Sequence, residues 1–343
     1  MMFKNNNLYI TSNDFSKFSD LIYSDREKLE NQSFNQDTEI IDISTDPQFK
    51  CITYKQLSFE ITSGDIVFCN SNQLDNFFYH LKKYEKIKNL TLITHQTDKL
   101  ISKKDFEKRP QSISKWYGVN VGHKDPSLLP IPIGIASDFS LKNLNAKDFP
   151  EFNKNNYYKD EIKMYVNFKI NTNFNERNLL YKQFEGEPWV DIDPPDLNKE
   201  IYLNKLKKSS FVLCPWGNGV DTHRFWEALY SGSIPITKKH ITYETATDLP
   251  VLFVDDYKDI NFELLSTFMR NLDVEKYNFE KLTKNYWNET ITNTNKNLDH
   301  IKIRETKYET NLFRLKRNSL RILNSYKKRY KTFINKVRTK LTS

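Results

Sequence analysis

The segment 211–236, Phe-Val-Leu-Cys-Pro-Trp-Gly-Asn-Gly-Val-Asp-Thr-His-Arg-Phe-Trp-Glu-Ala-Leu-Tyr-Ser-Gly-Ser-Ile-Pro-Ile, gathers glycine, acid and arginine where an apolar run ends. It reads as strand, glycine loop, helix and strand. Pro215 stops the first run, Gly217 and Gly219 allow a tight turn, and Asp221 or Thr222 can cap the helix that follows. Gly232 suits the left-handed position after that helix. Such a turn aims free N–H groups and the positive helix end at the carboxyl edge of a sheet, where open α/β folds bind ligands. A diphosphate fits there. Arg224 offers a planar bidentate cation, and Glu227, one turn on, can accept from a ribose diol. Gly217, Asn218, Gly219, Asp221 and Thr222 would line phosphate or sugar, and Lys238, ending the next strand, joins this donor set. Neither the Walker lysine loop nor the Gly-x-Gly-x-x-Gly fingerprint is present, so P-loop and dinucleotide sites are excluded.

The same stretch, with Thr-Asp-Leu-Pro-Val-Leu-Phe at 247–253, resembles the donor-site signature of exostosin-like glycosyltransferases: a strand ending Cys-Pro, a glycine loop, Arg, Glu-Ala, Gly-x-Ile-Pro and a later Leu-Pro. The resemblance is strongest over about 200–257. Leu-Ile-Thr-His-Gln-Thr-Asp at 92–98 and Leu-Pro-Ile-Pro-Ile-Gly at 129–134 resemble the acceptor side of related enzymes. It implies an α/β protein of GT-B architecture, two Rossmann-like domains facing each other across a cleft, the second holding a nucleotide-sugar. It further implies sugar transfer from a nucleotide-diphosphate donor, commonly a UDP-sugar, to a glycan or polysaccharide acceptor, usually with inversion. Carried onto this chain, Arg224 would contact the diphosphate, Glu227 the ribose and the 217–221 loop the phosphates or sugar.

Glycosyl transfer also needs a base for the acceptor hydroxyl. His95 and Asp98 follow an apolar run at 90–94 and are the two candidates, with His223 beside the donor loop a third. Asn167 closes a strand ahead of Asn171, Thr172 and Arg177, a second polar edge in which Arg177 can neighbour phosphate or nucleobase. Asp191 and Asp193 form a DxD, which in GT-A enzymes holds Mn or Mg against a diphosphate; before Pro194-Pro195 such a pair is more often a polar turn. The expectation is a site with no metal and no cofactor beyond the donor substrate. A GDP-sugar donor stays open, because GT-B fucosyltransferases share a similar helix and Gly-x-Ile/Val-Pro element.

These groups need sheets to position them. Apolar, β-branched runs at 8–11, 39–43, 65–69, 90–94 and 130–134 predict strands in the first half, and 164–168, 211–215, 234–237 and 251–254 in the second. Leu74, Phe77, Phe78 and Leu81 give one helix an apolar face, and helices are also expected near 173–184, 198–208 and 222–231. Alternation of this kind predicts parallel sheets. Polar residues 143–160 read as a connection, giving an acceptor domain over 1–150, a donor domain over 160–300 and a tail over 301–343, helical from about 261 onward.

At 343 residues, 38% hydrophobic and 14% aromatic, the chain can build large cores, and eight glycines exclude collagen-like or linker character. Cys51, Cys69 and Cys214 form no CxxC and read as buried thiols. No signal-like or membrane-spanning run occurs, so a soluble cytoplasmic protein is expected. The formal charge of +8 is concentrated in the tail: residues 301–343 carry 14 Lys and Arg against 2 Glu, leaving 38 against 42 for the rest. Leu320, Leu323, Tyr330, Ile334, Val337 and Leu341 recur among these cations at helical spacing. An anionic membrane surface is a candidate partner for that helix. Nucleic acid is not expected, although a non-enzymatic membrane- or nucleic-acid-binding protein is the competing class.

Overall fold

The computed structural model describes residues 8–24, 26–28, 38–46, 49–56, 58–136, 140, 142–292 and 299–309, together with 311–312, 315, 318–319, 322–323, 325–327, 329–330 and 334. Two five-stranded sheets, parallel throughout, form its two halves. The first is built from β1 (Leu21–Tyr23), β6 (Ile66–Asn70), β7 (Leu90–His95), β8 (Ile113–Gly118) and β9 (Leu128–Pro130), ordered as in the chain. Between β1 and β6 lie β2 (Arg26–Lys28), β3 (Thr38–Asp46) and β4 (Phe49–Gln56), an antiparallel sheet of order β2-β4-β3, and then β5 (Ser58–Thr62). The second sheet holds β10 (Met164–Val166), β11 (Val190–Ile192), β12 (Phe211–Leu213), β13 (Ile234–Lys238) and β14 (Leu252–Val254), in the order β11-β10-β12-β13-β14. This is the two-unit parallel α/β architecture expected of a GT-B enzyme.

The second order reverses direction between β10 and β12. Loops leaving the carboxyl ends of those neighbours therefore diverge, and the opening between them is where a doubly wound sheet receives a ligand. In the first sheet the order is sequential, so it has no such reversal.

Helices cover these sheets where the apolar spacing demands: α1 (Ser12–Lys17), α2 (Leu74–Leu81), α3 (Lys103–Glu107), α4 (Phe174–Phe184), α5 (Lys199–Lys208), α6 (His223–Tyr230), α7 (Phe262–Arg270) and α8 (Lys284–Thr292). In α2 the predicted face, Leu74, Phe77, Phe78 and Leu81, is buried with Leu92 and Trp116 in one core. A second core joins the halves, running from Ile10, Phe15, Phe68 and Ile93 to Tyr165, Phe211, Phe225 and Ile236. Cys69 and Cys214 are buried free thiols; the side chain of Cys51 lies outside the described residues. No described helix is long and apolar enough to cross a membrane.

Several expected elements differ. Residues 8–11 form no sheet strand: Leu8 makes one bridge to Thr283, and Thr11 begins α1 through a capping box with Asp14. The 39–43 run lies in β3, outside the parallel sheet. Of 130–134 only Pro130 belongs to a strand, because Pro130 and Pro132 lack ladder donors. Gly134 then turns at φ +67°, so close to the Ile10 carbonyl that a Cβ would sit 2.1 Å from it. The helices expected beyond 261 are interrupted by β15 (His300–Arg304), which pairs antiparallel with β5 and ties the end of the chain to the first half.

Candidate functional site

At the reversal point, α6 begins beside the carboxyl end of β12 with no side-chain cap: Thr222 is its N-cap residue, yet its Oγ1 is buried without a hydrogen-bond partner. Two arginines flank this start. Arg177, in the first turns of α4, is buried and spent on three backbone carbonyls and one hydroxyl: Nε donates to Trp216 O at 2.9 Å, Nη1 to Lys169 O at 2.9 Å and Thr172 Oγ1 at 2.7 Å, Nη2 to Pro215 O at 2.8 Å. It clasps the loops after β10 and β12 together. Gly217 permits that approach, since a Cβ there would lie 3.0 Å from Arg177 Nη2. Burial, and then its neighbour Arg224, bring Arg177 down to about 10.

Arg224 is partly buried, its guanidinium 6.0 Å from the Phe168 ring. Among the described residues it makes no hydrogen bond or ion pair, and its Nε is buried without a partner. The acids that could neutralise it are engaged elsewhere. Glu227 is buried and its Oε2 accepts from Tyr202 OH at 2.8 Å; its Oε1 has no hydrogen bond among the described residues. Asp221 is buried and turned toward the first half, where its Oδ2 accepts Ile133 N at 2.8 Å. It also accepts Thr222 N at 2.8 Å and Trp226 Nε1 at 3.0 Å, and burial pushes it up to about 7. Two neighbouring guanidiniums, neither of them in an ion pair among the described residues, put positive charge at an uncapped helix start.

The donor loop is stitched to the first half rather than facing it across open space. Asn120, fully buried and left-handed at φ +58°, accepts Asp221 N on Oδ1 at 2.7 Å, and its Nδ2 has no partner. Gly219 leaves room for it, because a Cβ there would meet that Nδ2 at 2.9 Å. Asn120 escaped the sequence reading; its only signal is an Asn between Val119 and Val121 just past a strand, a type that tolerates the left-handed region. Asn218 is exposed on the loop tip.

His223, first residue of α6, spans the same junction, its Nδ1 2.7 Å from Gly134 O. A carbonyl accepts only, so Nδ1 carries the proton and Nε2 keeps its lone pair, which has no partner among the described residues. The other two base candidates are placed differently. His95 is buried, its Nδ1 accepting Gln96 N at 2.7 Å and its Nε2 3.2 Å from Pro132 O, and burial lowers it to about 3. Both nitrogens of His95 are thus engaged and the ring is buried. Asp98 lies exposed in the loop beyond β7.

The remaining donor residues surround the opening. Asn167 is buried and its Nδ2 donates to Pro194 O at 2.7 Å, pinning the chain after β11. Lys238 pairs with Glu176 and lies 5.0 Å from the centroids of both Trp216 and Tyr257. The Nε1 of Trp216 is buried without a partner. Lys205 Nζ stands 3.8 Å from Asp191 and 3.5 Å from Asp193, so the DxD carboxylates share a cation. No group of three His, Cys, Asp or Glu able to hold a metal occurs among the described residues.

Residues 185–269, from just before β11 into α7, match the family model of the RXYLT1 C-terminal domain, which is exostosin-like. No curated protein sequence matches. Among solved structures, AviGT4, a glycosyltransferase involved in avilamycin A biosynthesis, is similar at 11% identity and TM-score 0.33, over 66% of this chain and 81% of that one. An alpha1,3-fucosyltransferase is similar at 16% identity and TM-score 0.30, over 63% and 66%.

Proposed function

From the premise that residues 185–269 form an exostosin-like domain of the RXYLT1 type, we propose that this protein is a metal-independent, inverting glycosyltransferase. It moves a sugar from a UDP-sugar to a glycan acceptor in the cytoplasm. The observation that carries the reading is Arg224, a guanidinium that makes no hydrogen bond or ion pair among the described residues, set beside an uncapped helix start at the sheet's reversal point. A diphosphate supplies what this place lacks: two charges for the cation and acceptors for N–H groups.

In this reading the ribose approaches Glu227 Oε1, and the diphosphate lies between Arg224 and the first turn of α6. The acceptor oxygen attacks the anomeric carbon as the bond to the diphosphate breaks, and the charge that develops on the leaving oxygen is met by Arg224 and the helix end. The hydroxyl proton passes to Nε2 of His223, whose ring is held in the receptive tautomer by Gly134. One displacement inverts the anomeric centre. Lys205 takes the part a cation would play at Asp191 and Asp193, which supports chemistry without a DxD metal.

The test is thermal unfolding with UDP-, GDP-, CMP- and dTDP-sugars. A bound donor at a hundred times its dissociation constant stabilises by about 2.7 kcal/mol. UDP-sugars should give that shift and Arg224→Ala should abolish most of it. A shift from no nucleotide-sugar, or one that Arg224→Ala leaves intact, overturns the reading.

A further inference from the structure

After β15 a capping box starts a helical turn, Thr306 Oγ1 accepting Glu309 N at 3.2 Å while Glu309 Oε2 accepts Thr306 N at 2.7 Å. Its base is fixed to the first half. β15 pairs with β5, His80 Nε2 meets the buried Glu305 at 2.9 Å, and Lys83 meets Glu309 at 2.9 Å. From there Tyr308, Leu312, Leu315, Ile322, Leu323, Tyr326 and Tyr330 are all exposed by more than half. Their steps of four, three, seven, one, three and four residues put them on one side of a helix of period 3.6. Nothing among the described residues covers these side chains, so burying them needs a partner.

The period and the charge select the partner. A coiled-coil seam repeats every 3.5 residues or so, and continued from Leu315 and Ile322 it would take in Arg329 and Lys336. Two copies of a tail that carries 14 cations and 2 acids over residues 301–343 would also repel. Nucleic acid would satisfy the cations, yet it offers nothing to leucine and isoleucine at the stripe's centre. A lipid surface with anionic headgroups satisfies both, taking apolar and tyrosine side chains into the headgroup boundary and lysine and arginine at the phosphates. We infer that the tail is a membrane-docking helix lying in the plane of an anionic bilayer, with the first half of the molecule held against it. This inference does not depend on the donor site.

Co-sedimentation of the full chain with vesicles tests it, using phosphatidylcholine alone and phosphatidylcholine mixed with phosphatidylglycerol. Binding to the anionic vesicles should exceed that to the neutral ones by about tenfold or more. The triple variant Leu315→Glu, Ile322→Glu, Tyr326→Glu should lose it while keeping the wild-type unfolding midpoint. In a separate variant, Tyr326→Trp, added indole emission should shift blue on anionic vesicles only. Wild type that binds neither vesicle, a triple variant that binds as wild type does, or a stripe that instead forms a dimer or holds tRNA overturns the inference.

Discussion

Arg224 makes no hydrogen bond or ion pair among the described residues, and this separates its binding role from its structural one. Burial works against the Arg224 cation while Tyr202, Cys214 and Glu227 favour it, and the balance holds its pKa above the ordinary value, so Arg224→Ala should shift the unfolding midpoint only slightly. The same change should weaken UDP binding, read by titration calorimetry, by about 10- to 100-fold, the worth of charge-assisted hydrogen bonds to phosphate. Arg224→Lys should recover only part, since a point charge cannot grip two oxygens. Unchanged affinity in both variants would move the diphosphate elsewhere. His223 gives a second residue-scale expectation: His223→Gln should lower turnover by 100-fold or more, roughly the worth of a general base, with UDP affinity within about twofold of wild type. A loss of affinity equal to the loss of turnover would make it a binding residue. The sequence singles out Arg224 and His95 alike, and nothing local in it says that the amide of Gln96 and the carbonyl of Pro132 take both nitrogens of His95. Asp221 looked like a phosphate ligand for the same reason; its acceptors are consumed by Ile133 and Trp226.

At the scale of elements, what was readable depended on how much of each element's environment is local. The helices α2, α4, α5 and α6 and the strands β10, β12, β13 and β14 lie where apolar period and capping residues put them. Their buried faces are dense enough to dominate any other signal. β1 and β11 are three-residue edge strands, too short to show a period, and the exposed Ser114 and Lys115 break the apolar run of β8. β15 reads as amphipathic charge in sequence and becomes a strand only because β5 offers it an edge. The loop after β9 illustrates a position fixed by backbone rather than pattern. Gly134 needs positive φ and closes on the Ile10 carbonyl, so Gly134→Ala brings both a strained conformation and a clash that no side chain can relieve. It should cost more than about 2 kcal/mol by urea denaturation, and it should also disturb His223, whose Nδ1 depends on the carbonyl of that glycine. A Gly134→Ala protein as stable as wild type would show that the loop is free to open.

For the whole molecule, the question is how firmly the halves are joined, and two buried ionisable groups near the junction report on it with opposite signs. His95 is neutral when folded, with its pKa lowered to about 3 by burial, whereas the unfolded chain protonates near 6.5. Its contribution to stability is therefore present above about 6.5 and is lost as pH falls below that value. Asp221, raised to about 7 by burial against an ordinary value of 3.8, behaves the other way. Its contribution is present below about 4 and is lost as pH rises toward 7. Between pH 4.5 and 6 or so the two slopes, each at most about 1.4 kcal/mol per pH unit, oppose each other. Replacing either residue should unmask the other. Relative to wild type, His95→Gln should grow less stable as pH rises through this window, and Asp221→Asn should grow more stable, by about 1 kcal/mol per unit in urea titrations. Parallel curves for all three proteins would mean that water reaches one or both groups, so that the halves part at this junction in solution. The first half would then move relative to the donor sheet, and the Asn120–Asp221 and Gly134–His223 contacts would describe one closed state. Crossing curves would instead mean that donor and acceptor groups are already held in register, with Arg224 waiting beside a fixed seam.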